Sequence, residues 1–213
     1  MRLYSFFRSS AAYRVRIALN LKGLPHEYEA INLLRDEGDQ HEPEYTALNP
    51  QKLVPTLVDG SLILSQSMAI IEYLDEAYPE TPALLPPTTM ERAKARELAL
   101  LIGCDIHPLN NLRVLKYLAR DLAVDRALRN QWYAHWIQTG FDAFEQMVEK
   151  TSGEFCIGDA PGIADCFLIP QVVNAQSFKV DISTYKHISR IFERCQALPA
   201  FMEAAPANQP DAS

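Results

Sequence analysis

Apolar and polar positions follow two rhythms along this chain, and the change from one to the other divides it. Leu3, Tyr4, Phe6 and Phe7 form a short apolar run, which predicts a strand over residues 3–7. Val15, Ala18 and Leu19 then recur at helical spacing, with Tyr13, Ile17 and Leu21 beside them, and predict a helix buried on a broad face to about Lys22. Serine is a preferred N-cap, so this helix begins near Ser9 or Ser10, while Gly23 stands at its C-cap and Pro25 beyond it. Glu27 to Ile31 supplies the second strand of a βαβ start. Thr56–Val58 and Ser61–Leu64 flank Asp59-Gly60, a strong signal for a two-residue hairpin. From Ser65 a second helix runs through Met68, Ile71, Tyr73 and Leu74 to about Tyr78.

The rhythm changes after Pro79, Pro82, Pro86 and Pro87, a segment that suits neither helix nor central strand and reads as a linker. From Met90 to Ala205 the pattern is helical, over 91–120, 125–149, 163–177 and 184–197. Pro108 should bend the first of these. At the third, Gly162 is an acceptable N-cap, and Asp165 falls at N3, where its carboxylate can reach back to the cap N–H. The expected division is an α/β domain over 1–80, a Pro-rich linker over 81–89 and an all-α domain over 90–213.

Composition narrows the class. With 48% hydrophobic and 22% charged residues over 213 positions, the chain can bury a sizeable core as a globular protein. A net charge of −7 argues against nucleic acid as the main partner, and no run of Lys and Arg suggests a basic patch. No apolar run approaches the roughly 20 residues of a membrane span, and Arg2 followed directly by a strand is not a signal peptide. A cytoplasmic location is expected. Cys104, Cys156, Cys166 and Cys195 lie far apart and read as free thiols; the histidines form no pair or cluster with them, so no metal site is expected.

Three short segments carry candidate chemistry. The first turn of the helix behind Ser9 and Ser10 leaves N–H groups unpaired at the positive end of the macrodipole, which favours an anion such as a thiolate. Pro55, at the mouth of a strand, is compatible with a cis bond that turns the Val54 backbone outward to pair with an extended peptide. Gln66-Ser67 opens the second helix and suits a carboxylate. Taken singly, each segment is equally well an ordinary structural feature.

Together they resemble the cytosolic glutathione transferases. Within these, Arg8-Ser9-Ser10 with Arg14-Val15-Arg16-Ile17-Ala18-Leu19, Ala47-Leu48-Asn49-Pro50, Gln66-Ser67-x-Ala69-Ile70-Ile71-Glu72-Tyr73-Leu74 and Asn208-Gln209-Pro210-Asp211 are similar to the zeta class. That class includes maleylacetoacetate and maleylpyruvate isomerases. Asp105 to Asn111, and Val172 with Asn174-Ala175, carry the resemblance into the helical half. It implies a thioredoxin-like N-terminal domain followed by an all-helical domain, a homodimer, and glutathione as cofactor.

The glutathione site so implied comprises Ser9, Ser10 and Ala11 near the thiol, the Val54 backbone along the cysteinyl part, and Gln66 and Ser67 on the γ-glutamyl carboxylate. Gln40, Asp105, His107 and Asn111 fall at further contact positions. Ser9 is the expected catalytic hydroxyl, and Arg8 and Arg113 the expected holders of a small anionic substrate. A thiolate added to a cis double bond makes that bond single, permits rotation, and on expulsion leaves the trans isomer with glutathione unconsumed. Four positions depart from the class: Ala11 where many members carry Cys, Ala12 and Tyr13 where a Ser and a Trp are usual, and Ser177 where a substrate-binding Arg is usual. Two other readings use the same fold: a transferase that conjugates or dehalogenates small electrophiles and consumes glutathione, and a non-catalytic binding module.

Overall fold

In the computed structural model the described residues are 1–35 and 37–212; Asp36, and Ser213 at the end of the expected helical domain, lie outside them. The described chain separates into two units, Met1–Leu84 together with residues from Gln196 onward, and Leu85–Cys195.

The first unit is built on a four-stranded sheet in the order β2-β1-β3-β4, formed by β1 (Arg2–Ser5), β2 (Glu27–Ala30), β3 (Thr56–Asp59) and β4 (Leu62–Ser65). β1 runs parallel to β2 and antiparallel to β3, which pairs antiparallel with β4. Asp59 pairs with Leu62, so the hairpin turns on Gly60-Ser61, one residue later than the sequence pattern suggests, with Gly60 at φ 58°. The register sets which connections share an end of the sheet. Tyr4 stands opposite Thr56, Thr56 opposite Ser65, and Ser5 opposite Ala30. The connections after β1, β2 and β4, and the approach to β3, therefore all lie at one end.

Helix α1 (Ser10–Lys22) begins at the Ser9 cap and stops at Gly23, whose φ of 64° is one a side chain disfavours. The pattern predicts one buried face, yet α1 is buried nearly all round, Arg14, Arg16 and Lys22 included. The reason is that α3 (Ser67–Ala77) and α9 (Pro199–Ala204) both pack on it, and its Arg16 reaches Ser5 of β1 at 3.1 Å. The Asn20 amide donates to Ala200 C=O at 3.0 Å and Tyr13 O–H to Phe201 C=O at 3.3 Å, so the end of the chain belongs with α1. Lys22 Nζ lies 3.2 Å from Asp75 and 3.1 Å from Pro82 C=O, and Asp75 accepts from Leu84 N–H at 2.7 Å. This buried pair ties α1 and α3 to the Pro-rich segment. A short helix the pattern does not reveal, α2 (Pro43–Leu48), precedes β3.

The second unit is helical, with α4 (Thr89–Leu100), α5 (Leu112–Arg120), α6 (Arg126–Val148), α7 (Ile163–Ser177) and α8 (Lys186–Gln196). The single bent helix expected over 91–120 is two helices. Beyond α4 the chain widens into a π-turn over Leu101–Ile106, with His107 N–H donating to Ile102 C=O at 2.9 Å. It then turns through 107–110 and restarts at the Asn111 cap. Pro108 has no N–H to continue the α ladder, so the helix ends instead of bending. Packing is tight here: a Cβ at Gly140 would collide with Ile106. Asp165 is 1% exposed and accepts from Gly162 N–H at 2.9 Å, as the N3 position predicts, and from Cys156 N–H at 3.0 Å.

These contacts have two measurable outcomes. Arg16→Met should orphan several buried acceptors and lower unfolding free energy by at least about 3 kcal/mol in urea denaturation. The Asp59 carboxyl is held below its usual pKa by the Tyr78 and then the Tyr73 hydroxyl. Its contribution to stability is therefore present above the ordinary value of about 3.9 and lost as pH falls through the lowered one. Tyr78→Phe should raise the Asp59 titration midpoint, followed by carboxyl NMR.

Candidate functional site

The site is built where the sheet's connections converge. Residues 6–9 leave β1, and Ser9 accepts from Ala12 N–H through Oγ at 3.2 Å while its C=O takes Tyr13 N–H at 2.8 Å. That cap uses a lone pair of the hydroxyl and leaves its O–H proton to donate outward. No acidic residue occupies the first turn of α1, so the turn itself brings no charge to offset the positive end of the helix. Ser10 is buried behind Ser9, and Ala12 is fully buried. Arg8 is exposed, its guanidinium 5.1 Å from the centre of the Phe7 ring.

The loop that carries Ser9 is held from beneath by Arg16. This guanidinium is 2% exposed; it donates to Phe7 C=O at 3.1 Å, Phe6 C=O at 3.4 Å, Ser5 Oγ at 3.1 Å and Ala204 C=O at 2.9 Å. Burial lowers its pKa to about 10, which still leaves it charged at neutral pH. Asp211 completes the clamp, accepting from Phe7 N–H at 3.1 Å and from Tyr28 O–H at 2.6 Å. Both backbone groups of Phe7 are thus fixed, one by a cation and one by an anion.

Across the same end of the sheet, the Val54–Pro55 peptide is cis. The ladder with β4 begins at Thr56, so Val54 lies beyond it. Asn49, 2% exposed, supports this loop: its Nδ2 donates to Leu53 C=O at 2.7 Å and Thr56 Oγ1 at 3.1 Å, and its Oδ1 accepts from Gln51 N–H at 3.0 Å. Gln66 caps α3 with φ 72° and ψ 113°, a conformation that costs a non-glycine residue on the order of 1–3 kcal/mol and that concentrates at ligand sites. Its amide donates to Gln51 at 2.8 Å. Ser67 is buried and accepts from Arg14 Nη1 at 3.2 Å, which sets a buried guanidinium beneath the start of α3. Gln40, in a one-turn 3-10 helix over Asp39–His41, is 7% exposed, and its Oε1 has no hydrogen-bond partner among the described residues. A buried acceptor of this kind takes its donor from an ordered water or from a ligand.

The structure places Ser9, Ser10, Ala11, Gln40, Val54, Gln66 and Ser67, all named from the sequence, on connections that share one end of one sheet. Asp105, His107, Asn111 and Arg113 form a separate group in the helical unit. There Asn111 Oδ1 accepts from Arg113 N–H at 3.1 Å, and its Nδ2 lies 3.5 Å from His107 Nε2; Asp105 and Arg113 are exposed. Ser177 Oγ donates to Val173 C=O at 2.9 Å at the end of α7. The pattern missed the supporting residues Arg14, Arg16, Asn49 and Asp211. All four stand in segments that carry the resemblance, and Arg14 and Arg16 are in addition charges placed within a helix whose periodicity says buried.

No cysteine precedes Cys104 in the chain, so the sheet end has no thiol of its own. Cys104 is exposed, and burial pushes the Cys156 and Cys195 thiols up. Among the described residues no group of three or more His, Cys, Asp or Glu could hold a metal ion, and no helix is long and apolar enough to cross a membrane.

Residues 3–82 match the family of the glutathione S-transferase N-terminal domain. A probable maleylacetoacetate isomerase of Vibrio cholerae is 52% identical over 210 residues, which cover 99% of this chain and 97% of that protein. The holo structure of a maleylpyruvate isomerase, described as a bacterial zeta-class glutathione transferase, superposes with a TM-score of 0.96 at 47% identity over the whole of both chains. A maleylacetoacetate isomerase of Methylobacterium extorquens AM1, solved with malonate and glutathione bound, gives a TM-score of 0.93 at 39% identity, again over the whole of both chains.

Ser67→Ala should remove an acceptor from the buried Arg14 guanidinium and lower stability by about 1–3 kcal/mol. Ser67→Thr, which keeps the hydroxyl, should recover most of it; paired denaturation curves check both.

Proposed function

The chain belongs to the zeta-class glutathione transferases, the family that includes maleylacetoacetate and maleylpyruvate isomerases, and we propose that it catalyses the glutathione-dependent cis–trans isomerisation of such a maleyl substrate. The observation that carries this reading is the Ser9 hydroxyl, which caps α1 through its lone pair and keeps a proton to donate at the positive end of the helix. The residues present fit glutathione. The orphaned Gln40 Oε1 accepts a donor, and the start of α3, with Arg14 beneath Ser67, receives a carboxylate. The backbone of Val54 pairs with the extended peptide.

Bound glutathione supplies a thiolate that adds reversibly to the cis double bond, allows rotation, and leaves unchanged. Ser9 and the N–H groups of the first turn of α1 stabilise that sulfur as an anion, lowering its pKa and raising the nucleophilic fraction near neutrality. Arg8, exposed beside the cap, holds a substrate carboxylate and offsets negative charge developing on the neighbouring carbonyl oxygen. The family resemblance adds Arg113 as a second substrate holder and Asp105, His107 and Asn111 as glutathione contacts to this reading. Ser10 and Ala11 pack against the thiol end. The reading includes a cytoplasmic homodimer, with no metal, nucleic acid or membrane among its partners. It also leaves substrate choice to Arg8 and Arg113, because the Ser177 hydroxyl is turned back to its own helix.

Purified protein with maleylacetoacetate or maleylpyruvate should turn over only when glutathione is present, with the glutathione concentration unchanged at completion. Stoichiometric loss of glutathione would instead identify a conjugating or dehalogenating transferase. Ser9→Ala should reduce kcat/KM by about 10²–10³-fold while glutathione still binds, and Ser9→Thr should retain much of the activity. Loss of the cap alone accounts for only about 1 kcal/mol of stability, which melting curves separate from the catalytic effect.

A further inference from the structure

The segment Asn208-Gln209-Pro210-Asp211 carries part of the zeta-class resemblance, yet the proposed isomerisation gives it no task. Its first two residues fasten it to α9, whose last carbonyl groups have no partners in the α ladder. Asn208 Nδ2 donates to Met202 C=O at 2.6 Å, and Gln209 Nε2 donates to Glu203 C=O at 2.8 Å and to Ala205 C=O at 3.0 Å. Two side-chain amides thus take up the oxygens at the end of this helix. Gln209 itself is extended, at φ −88° and ψ 151°, the conformation that a following proline favours. Pro210 therefore limits where Asp211 can go.

The same segment is tied to α1 by another route. Asn20, Tyr13 and Arg16 of α1 donate to the carbonyl groups of Ala200, Phe201 and Ala204. From α1 the bonds pass through α9 to Asp211, and Asp211 returns them to the loop that opens α1. Its Oδ2 accepts from Phe7 N–H at 3.1 Å and its Oδ1 from Tyr28 O–H at 2.6 Å. Phe7 stands two residues before Ser9, and Ser9 N–H donates back to Phe6 C=O at 2.9 Å. All of these groups belong to the first unit.

This contact requires a carboxylate. Phe7 N–H and Tyr28 O–H are both donors, and two acceptor oxygens on one group satisfy both; an amide would have to turn its own donors toward one of them. Burial, and then the bond to Asp211, raises the pKa of the Tyr28 hydroxyl, so it remains a donor at neutral pH. The carboxylate also favours the positive charge of Arg16. The Phe7 peptide is thus held between opposite charges, its C=O on the cation and its N–H on the anion. Rotating that peptide breaks both bonds and moves the chain that leads to Arg8 and Ser9.

We infer that Asp211 is a positioning residue for Ser9: its carboxylate fixes the Phe7 peptide and through it the direction in which the Ser9 hydroxyl meets the glutathione sulfur, an inference that rests on the proposed glutathione reading. Asn208, Gln209 and Pro210 deliver that carboxylate. It acts on the reaction only through the loop.

The thiolate absorbance of bound glutathione, titrated with pH in the full-length protein, tests this. Asp211→Asn should raise the midpoint by about half to one pH unit, because a displaced hydroxyl stabilises the anion less. It should lower kcat about tenfold while the KM for glutathione stays within about twofold. Hydrogen exchange at Phe7 N–H should accelerate. In a Ser9→Ala background Asp211→Asn should add no further shift of the midpoint, since both substitutions act on one hydroxyl. Tyr28→Phe, which spares the Phe7 bond, should raise the midpoint by less, and it decides the matter if Asp211→Asn does not fold. A parental midpoint in folded Asp211→Asn, or in Tyr28→Phe where that variant has to decide, would overturn the inference. So would an added shift in the Ser9→Ala background, which marks a merely structural role. A parent whose bound glutathione titrates but which isomerises neither maleyl compound would end the isomerase reading and leave this one standing; a parent that binds no glutathione would end both.

Discussion

Arg16 is the interaction on which the rest of the first unit depends. A guanidinium inside a protein must find acceptors for a fan of five N–H groups, and here they are oxygens of Ser5, Phe6, Phe7 and Ala204. Three of those belong to the segment that leads into the Ser9 cap. The fourth belongs to α9, late in the chain. One desolvated cation therefore fixes the loop before the reactive helix and recruits the chain's end to cover it, and Asp211 locks the same loop through Phe7 N–H.

With the loop held, the α1 cap performs two tasks from one side chain. Ser9 Oγ satisfies an orphan N–H of the first turn and keeps its own proton for a ligand, and the first turn itself carries no acid. The α3 end is organised differently. Gln66 is held in a left-handed conformation with no side-chain cap, and Arg14 reaches Ser67 from within the core. Two helix starts at one sheet end thus differ in chemistry: a hydroxyl donor at one, and a strained backbone over a buried cation at the other. The first suits a polarisable thiolate and the second a carboxylate.

In the helical unit, a single proline has a larger effect than a bend. Because Pro108 cannot extend the α ladder, the chain passes through a π-turn and a tight turn before Asn111 opens α5. The restart gives α5 its own direction, along which Leu112, Leu115, Lys116 and Ala119 pack beside α6. An uninterrupted helix from 91 to 120 would have kept those residues in the register of α4.

Sequence alone determined the strands and helices whose signals are local: the Ser9 start and Gly23 stop of α1, the hairpin near Gly60, the Gly162–Asp165 cap and the limits of α7. Motif resemblance singled out Ser9, Val54 and Gln66, residues whose connections the sheet register gathers at one end. It marked Arg14 and Arg16 only as charges within a buried helix and could not tell which distant oxygens they reach. Nor could it foresee that Pro108 ends a helix outright, that α9 returns to α1, or that Asp211 holds Phe7. These are bonds between residues far apart in the chain, set by which backbone oxygens remain unsatisfied after the strands have paired. Local pattern fixes where a helix begins; only the packed structure decides which buried groups must find one another.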